Sequence, residues 1–287
     1  MALIKQIKTA LTHLNPAEVR EASMRSLDIG LVSPTTEGHW RMEKFLCPPT
    51  LSPARRAHVS SMLHRISPND RNRAHDLEIW DSTLAMPDHV FAFDPDNPAM
   101  MVRQVLKKRP ELSLPLARYI QPFRKPVIDH NISKISNENA LFALATALPD
   151  MVPNLLSLPW AIGEFASDAA FLTGNQIRLT FLIAAASDRE VGYSEQRGQI
   201  GSIVAGAFGF RALARELVGK IPFGGGLLPK AAVSYAGTYV VGRSMEKYYS
   251  VGYGFTKEER RSAFDEAVER GREIAKSLLD TFRPKRG

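Results

Sequence analysis

Near residue 135 this sequence changes character, and the change decides most of what it can fold into. All seven histidines (His13, His39, His58, His64, His75, His89, His130) lie before that point. The first part is punctuated by proline and alternates short helical with extended stretches. The second part is rich in Ala, Gly, Leu and Phe and carries helical periodicity almost throughout. Helices interleaved with short strands predict a small α/β layer, and continuous helical periodicity predicts packed helices. The expected fold is therefore mainly α. A small α/β segment over 1–135 precedes an all-helical domain over 136–287 that contains a close-packed glycine-turn hairpin.

Three helix starts in the first part are marked by a capping residue before a proline at the first helical position: Asn15-Pro16, Ser52-Pro53 and Asn97-Pro98. After Ser52, Val59, Met62, Leu63 and Ile66 follow a helical period. After Asn97, Met101, Val102, Val105 and Leu106 do the same. The extended candidates are Leu27 to Ser33, Leu77 to Trp80 and Val90 to Phe93. At the N-terminus, Lys5 and Lys8 interrupt the apolar run, so no cleaved signal is expected. Leu3, Ile4, Ile7, Leu11 and Leu14 read instead as a first helix packed on the body.

In the second part, helical stretches run from about Asn137 to Phe165 with breaks at Pro149, Pro153 and Pro159, and from Trp160 to Ala186. Others run from Glu195 to Gly219 and from Lys230 to about Ser250. Thr256 and Glu259 form a capping box that opens a last helix, with Phe264, Val268, Gly271, Ile274 and Leu278 on one face. The charge-free runs Met151 to Gly163 and Gly198 to Phe210 fall short of the roughly 20 apolar residues of a spanning helix. Gly201, Ala205 and Gly209, and likewise Ser234, Thr238 and Gly242, recur every fourth residue, which lets helices approach closely. Tyr235, Tyr239, Tyr248, Tyr249 and Tyr253 follow on the second arm, a composition that suits a membrane interface or a wet protein contact.

Function is constrained chiefly by what the sequence lacks. The single cysteine, Cys47, excludes an intrachain disulfide and a multi-cysteine metal centre. The nearest approach to a phosphate loop, Gly219-Lys220, has Ala214 where the first glycine belongs and Ile221 where Ser or Thr belongs. No zinc-protease or nucleophile-elbow motif occurs. The pairs His75-Asp76 and Asp129-His130 are read as solvated loop residues that point apart on extended backbone. These absences predict a non-enzymatic chain with no cofactor and no metal.

Three candidate surfaces remain. Glu164, Asp168, Asn175 and Arg178 fall on one helical stripe, where two carboxylates a turn apart could share a proton or hold a cation. This acidic pair underlies an alternative reading, a hydrolase or transferase with an inter-domain cleft. Around the glycine turn, Lys220, Gly224, Gly225, Gly226 and Lys230 offer backbone amides and two ammonium groups to an anion such as a lipid phosphate. The formal charge is +7, and most of the excess lies in Arg103, Lys107, Lys108, Arg109, Arg118, Arg124, Lys125 and Lys134. Such a segment attracts an anionic membrane surface; with few interleaved aromatics, nucleic acid is not the expected partner.

The second half also resembles a known family. The carrying residues are Asn139-Ala-Leu-Phe-Ala-Leu with Leu148-Pro149, Leu172-Thr-Gly-Asn-Gln176 leading to Ile183-Ala, and Ile221-Pro-Phe-Gly-Gly. Ser234-Tyr-Ala-Gly-Thr238, Val241-Gly242 and Tyr248-Tyr249 complete the set. Together they resemble the helical domain of unknown function that follows some bacterial GTPase domains and recurs in YcjF-type membrane-associated proteins. The resemblance implies a helical, membrane-associated module in the company of a GTPase, with 1–135 as a shrunken, nucleotide-free relative of the GTPase domain. The expected function is docking, on the cytoplasmic side, to a membrane surface, a GTPase or a second copy of the chain. A soluble scaffold without lipid contact is the other alternative.

Overall fold

The computed structural model describes residues 14–70, 74–85, 87–146, 168–206 and 227–282. The fold is mainly helical with one small four-stranded parallel sheet, as the sequence predicts. The chain divides into an α/β unit, residues 20–128 with 185–189, and a helical unit formed by the rest.

The α/β unit is built from α1 (Pro16–Met24, whose first residues fall in the other unit), β1 (Ile29–Val32), α2 (Thr36–Leu46), α3 (Pro53–Ser60) and β2 (Leu63–Ile66). There follow β3 (Leu77–Asp81), β4 (Phe91–Phe93), α4 (Pro98–Lys108) and α5 (Ser113–Tyr119). The strand order is β2-β1-β3-β4, all parallel, with Ile29 opposite Leu63 and Leu77, and Ile79 opposite Phe91. Alternation along the strands sorts the side chains between two faces. Ile29, Leu31, Leu77, Ile79, Phe91 and Phe93 enter the main core with Met42 and Leu46 of α2 and Met101, Val102 and Val105 of α4. Val32 and Trp80 face the other way, into a smaller cluster with Val90. All four residues of the central strand β1 are buried.

Two local readings are corrected here. Val59, Met62, Leu63 and Ile66 do not share a helix: α3 stops at Ser60, and Leu63 to Ile66 is the edge strand β2. The helix starts at Pro53 and Pro98 are as expected, but the Ser52 and Asn97 side chains make no capping hydrogen bond. Asn15 does cap, accepting from the Ala17 amide at 3.1 Å.

The helical elements continue with α6 (Gln121–Ala145), α7 (Asp168–Ala186), α8 (helical residues 197–206), α9 (Leu227–Val251) and α10 (Lys257–Phe282). α6 begins well before the expected Asn137 and carries Pro126 inside it. An internal proline costs a helix about 3 kcal/mol; burial of Phe123, Val127, Ile128, Ile132 and Ile135 along this helix offsets it. Asp129 and His130 therefore lie on a helix, not on extended backbone. The capping box of α10 is reciprocal: the Glu259 amide donates to Thr256 Oγ1 (3.2 Å), and the Thr256 amide donates to Glu259 Oε2 (2.8 Å). Phe264 and Val268 of α10 are buried against Ala232, Val233, Ala236 and Val240 of α9. The two helices close in at Gly271, where an added Cβ would lie 2.8 Å from the Ala232 carbonyl oxygen. The expected first helix, the proline-broken stretch 147–167 and the glycine turn lie outside the described residues.

Candidate functional site

Asn175 and Arg178, the two described side chains of the expected polar stripe, are both engaged by α6. The Asn175 amide donates to Asn139 Oδ1 at 2.8 Å, and Arg178 pairs with Glu138 at 3.1 Å. Asn139 donates in turn to Thr238 Oγ1 of α9 at 2.6 Å, which also accepts from Gln176 at 3.5 Å and donates to the Ser234 carbonyl at 3.0 Å. Asn139 and Thr238 have no solvent exposure, and Asn175 and Gln176 retain almost none. A buried amide costs several kcal/mol unless it is hydrogen-bonded, so this network ties α6, α7 and α9 into one alignment. Stripe position Asp168 opens α7, and Glu164 lies outside the described residues.

Of the expected anion site, Lys220, Gly224, Gly225 and Gly226 also lie outside the described residues. Lys230 is on α9 and donates to Thr146 Oγ1 at 3.1 Å. The small-residue stripe divides in two. Gly242 is packed tightly, since a Cβ there would meet Ile132 at 2.7 Å and Leu179 at 3.1 Å; Gly201 meets nothing within 4 Å among the described residues.

The five tyrosines divide as well. Tyr235 is buried, and Tyr239 packs beside it with ring centroids 5.8 Å apart. Tyr248, Val251 and Tyr253 are 38%, 56% and 60% exposed. They sit at the corner between α9 and α10, where Gly252 takes a left-handed φ of +89° to turn the chain. The corner is held firmly. The Phe255 amide donates to Ser244 Oγ at 2.9 Å, Lys247 bridges to Glu259 at 2.6 Å, and Lys247 Nζ lies 4.8 Å from the Tyr253 ring centroid. Close by on α9, Arg243 joins Asp129 and Glu246. Burial pulls its guanidinium pKa down, but hydrogen bonds to both carboxylates outweigh this and hold it above the ordinary value.

The basic segment is only partly a surface. Arg118 is buried, donates to the Arg189 carbonyl at 3.0 Å and pairs with Asp188 at 3.3 Å. Arg124 donates to the carbonyls of Ala186 (3.0 Å) and Arg118 (3.1 Å). Arg55 joins both Asp188 and the Arg118 carbonyl. These side chains cap the carboxyl ends of α5 and α7, where carbonyls are unsatisfied. Asp188 adopts φ +57°, a left-handed conformation that aspartate tolerates better than most residues. Arg103, Lys107, Lys108, Lys125 and Lys134 remain exposed.

His75 is not a solvated loop residue. Its side chain is 4% exposed, with Nδ1 2.5 Å from Asp28 Oδ1; His64 Nε2 lies 3.4 Å from the same oxygen. Asp28 and His75 are distant in sequence, so only the parallel pairing of β1 with β2 and β3 brings this group together. It lies at the amino edge of the sheet, whereas ligands of parallel sheets bind at the carboxyl edge. Among the described residues no group of three His, Cys, Asp or Glu side chains could hold a metal ion.

No family model, no curated protein and no solved structure matches this chain.

Proposed function

We propose that this chain is a non-enzymatic docking protein that meets a protein partner through the tyrosine corner of its helical unit. The observation that carries this reading is the grouping of Tyr248, Val251 and Tyr253, all exposed, within six residues on a corner that hydrogen bonds hold rigid. Tyrosine contributes contact area at little entropic cost, and a preorganised loop loses less freedom on binding. Lys247 is neutralised by Glu259, so the corner lacks the basic excess that draws a protein to anionic lipid. One described helix, Ala169–Ala186, is long and apolar enough to cross a membrane, but that window is 83% buried, as in the core helix of a bundle. Kinship with the GTPase-associated helical domain belongs to the same reading. It is supported by the convergence of Asn139, Asn175, Gln176 and Thr238, drawn from three of the segments that carry the resemblance.

Fractionation of cells producing the full chain, with stepwise salt and detergent, tests the reading. The expected result is a soluble complex larger than the monomer that the Tyr248→Ser/Tyr253→Ser double variant reduces to monomer. A requirement for detergent would replace protein docking with lipid insertion. Release by salt alone would assign attachment to the exposed lysines. A wild-type monomer would remove docking altogether.

A further inference from the structure

The α/β unit carries a second feature that the docking reading does not use. In a parallel sheet ordered β2-β1-β3-β4, the chain runs from β1 to β2 on one side and then returns past β1 to β3 and β4 on the other, so the direction of winding switches between β1 and β3. At such a switch point a crevice opens beyond the carboxyl ends of the strands, the place where open α/β sheets bind their ligands. Here it is a cleft of ≈ 390 Å³ lined by Thr35, Glu37 and Arg41 from the start of α2, Asp81 and Thr83 from the end of β3, and Phe93 from β4. That volume lies within the range of small-molecule sites.

The chemistry of the cleft selects its occupant. Asp81 Oδ1 accepts from the Thr83 amide (3.1 Å) and the Thr83 hydroxyl (2.8 Å), and Oδ2 accepts from Ser33 Oγ (3.1 Å). An ionised carboxylate offers about four acceptor positions, so these three donors orient the group and leave it capacity for one more. Desolvation pushes the Asp81 carboxyl pKa up, but hydrogen bonds from Thr83 and Ser33, with the charge of Arg41, outweigh it and keep the pKa below the ordinary value. Glu37 adds a second negative charge and is paired with Arg41 at 3.0 Å. Two carboxylates against one guanidinium leave the cleft net negative. Two of the backbone amides beside the cleft are engaged by side chains: Gly38 N–H donates to Thr35 Oγ1 (3.1 Å) and Thr35 N–H to Ser33 Oγ (3.2 Å). A phosphate would meet the repulsion of two carboxylates, whereas a cation would meet an oriented, ionised acceptor.

We infer that this crevice binds a small organic cation, a protonated amine seated on Asp81 with Glu37 and Arg41 at the rim and Phe93 among the lining residues. The proposal is independent of the docking surface, which lies in the other unit.

The test is a titration of the full-length, isotope-labelled protein with putrescine, followed by amide chemical shifts, with inorganic phosphate and ADP as anionic comparators. Putrescine is expected to give saturable shifts confined to residues 33–41 and 81–95. Asp81→Asn, nearly isosteric, is expected to weaken binding about tenfold or more. Because Asp81 also orders the loop, Glu37→Gln provides a second arm. Its side chain is 65% exposed, so its loss leaves the fold unchanged while weakening putrescine severalfold. Non-saturating shifts, equal affinity in both variants, or tighter binding of phosphate or ADP at these amides would each overturn the inference.

Discussion

Replacing Gly271 with alanine should destabilise the helical unit, and replacing Gly201 with alanine should stabilise it. Both glycines are helical and both substitutions add one methyl group. In an open helix, alanine is better than glycine by about 1 kcal/mol. At Gly201 nothing lies within 4 Å of the new Cβ among the described residues, so that gain should appear almost undiminished. At Gly271 the Cβ would fall 2.8 Å from the Ala232 carbonyl oxygen, 2.9 Å from the Ala232 Cα and 3.2 Å from the Tyr235 Cβ. Two of these are backbone atoms, which cannot rotate away, so α9 and α10 must separate by several tenths of an ångström. Overpacking of this kind costs about 1–3 kcal/mol; two backbone contacts below 3.0 Å put this site in the upper half of that range, leaving a net loss of about 1–2 kcal/mol after the helix-propensity gain of about 1 kcal/mol. A chain of two units need not unfold in one step, so native-state hydrogen exchange resolved by segment is the assay. Gly271→Ala should speed exchange in α9 and α10 by about 5- to 30-fold. Gly201→Ala should slow it in residues 197–206 by about 2- to 5-fold. If Gly271→Ala is neutral or protective, or if the two variants behave alike, the account of the α9–α10 contact is wrong.

Three further outcomes follow from the same structure. Asn139→Leu removes the acceptor of the Asn175 amide, while Thr238 keeps its contacts with Gln176 and the Ser234 carbonyl, and should cost about 1–3 kcal/mol for the one orphaned group. Urea unfolding reads the loss, and a double-mutant cycle with Thr238→Val should show coupling rather than additivity. Thr256→Ala removes one half of the capping box and should cost about 1 kcal/mol, seen as faster exchange in the first turn of α10. Asp81 has its folded pKa below its unfolded value, so its contribution is present above the ordinary carboxyl range and disappears as pH falls through the folded value. The difference in thermal midpoint between wild type and Asp81→Asn should therefore shrink as pH falls below about 4. A difference that widens in acid would contradict the hydrogen-bonding account.

The sequence is most legible where structure is set by near neighbours. Thr256 and Glu259 are three residues apart and form their box as expected, and Phe264 and Val268 are buried on the expected face. The strands at Ile29–Val32, Leu77–Asp81 and Phe91–Phe93 lie within or beside the extended candidates because each is a short apolar run. β2 is hidden in the sequence because Leu63 and Ile66 continue the spacing of Val59 and Met62. Its strand state comes from pairing with β1, a contact that local periodicity does not record. The same limit applies to function. Arg118 and Arg124 read as surface charge because nothing nearby in sequence shows the carbonyls of 186 and 189 that they satisfy. Asn175 reads as a stripe residue, but its partner Asn139 lies 36 positions away. Tyr235 and Tyr253 are equivalent by composition, and only the packing of α9 against α10 separates a core ring from an exposed one.

The central claim, docking through the α9–α10 corner, is tested most directly by site-specific photo-crosslinking. A photoreactive phenylalanine analogue replaces Tyr253 in the full chain, with the same analogue at the exposed Lys134 as control. Irradiation in cells should yield a discrete protein adduct from position 253 and none from position 134. Tyr248→Ser in the same chain should weaken the adduct. No adduct at 253, or adducts of equal yield at both positions, would contradict the account.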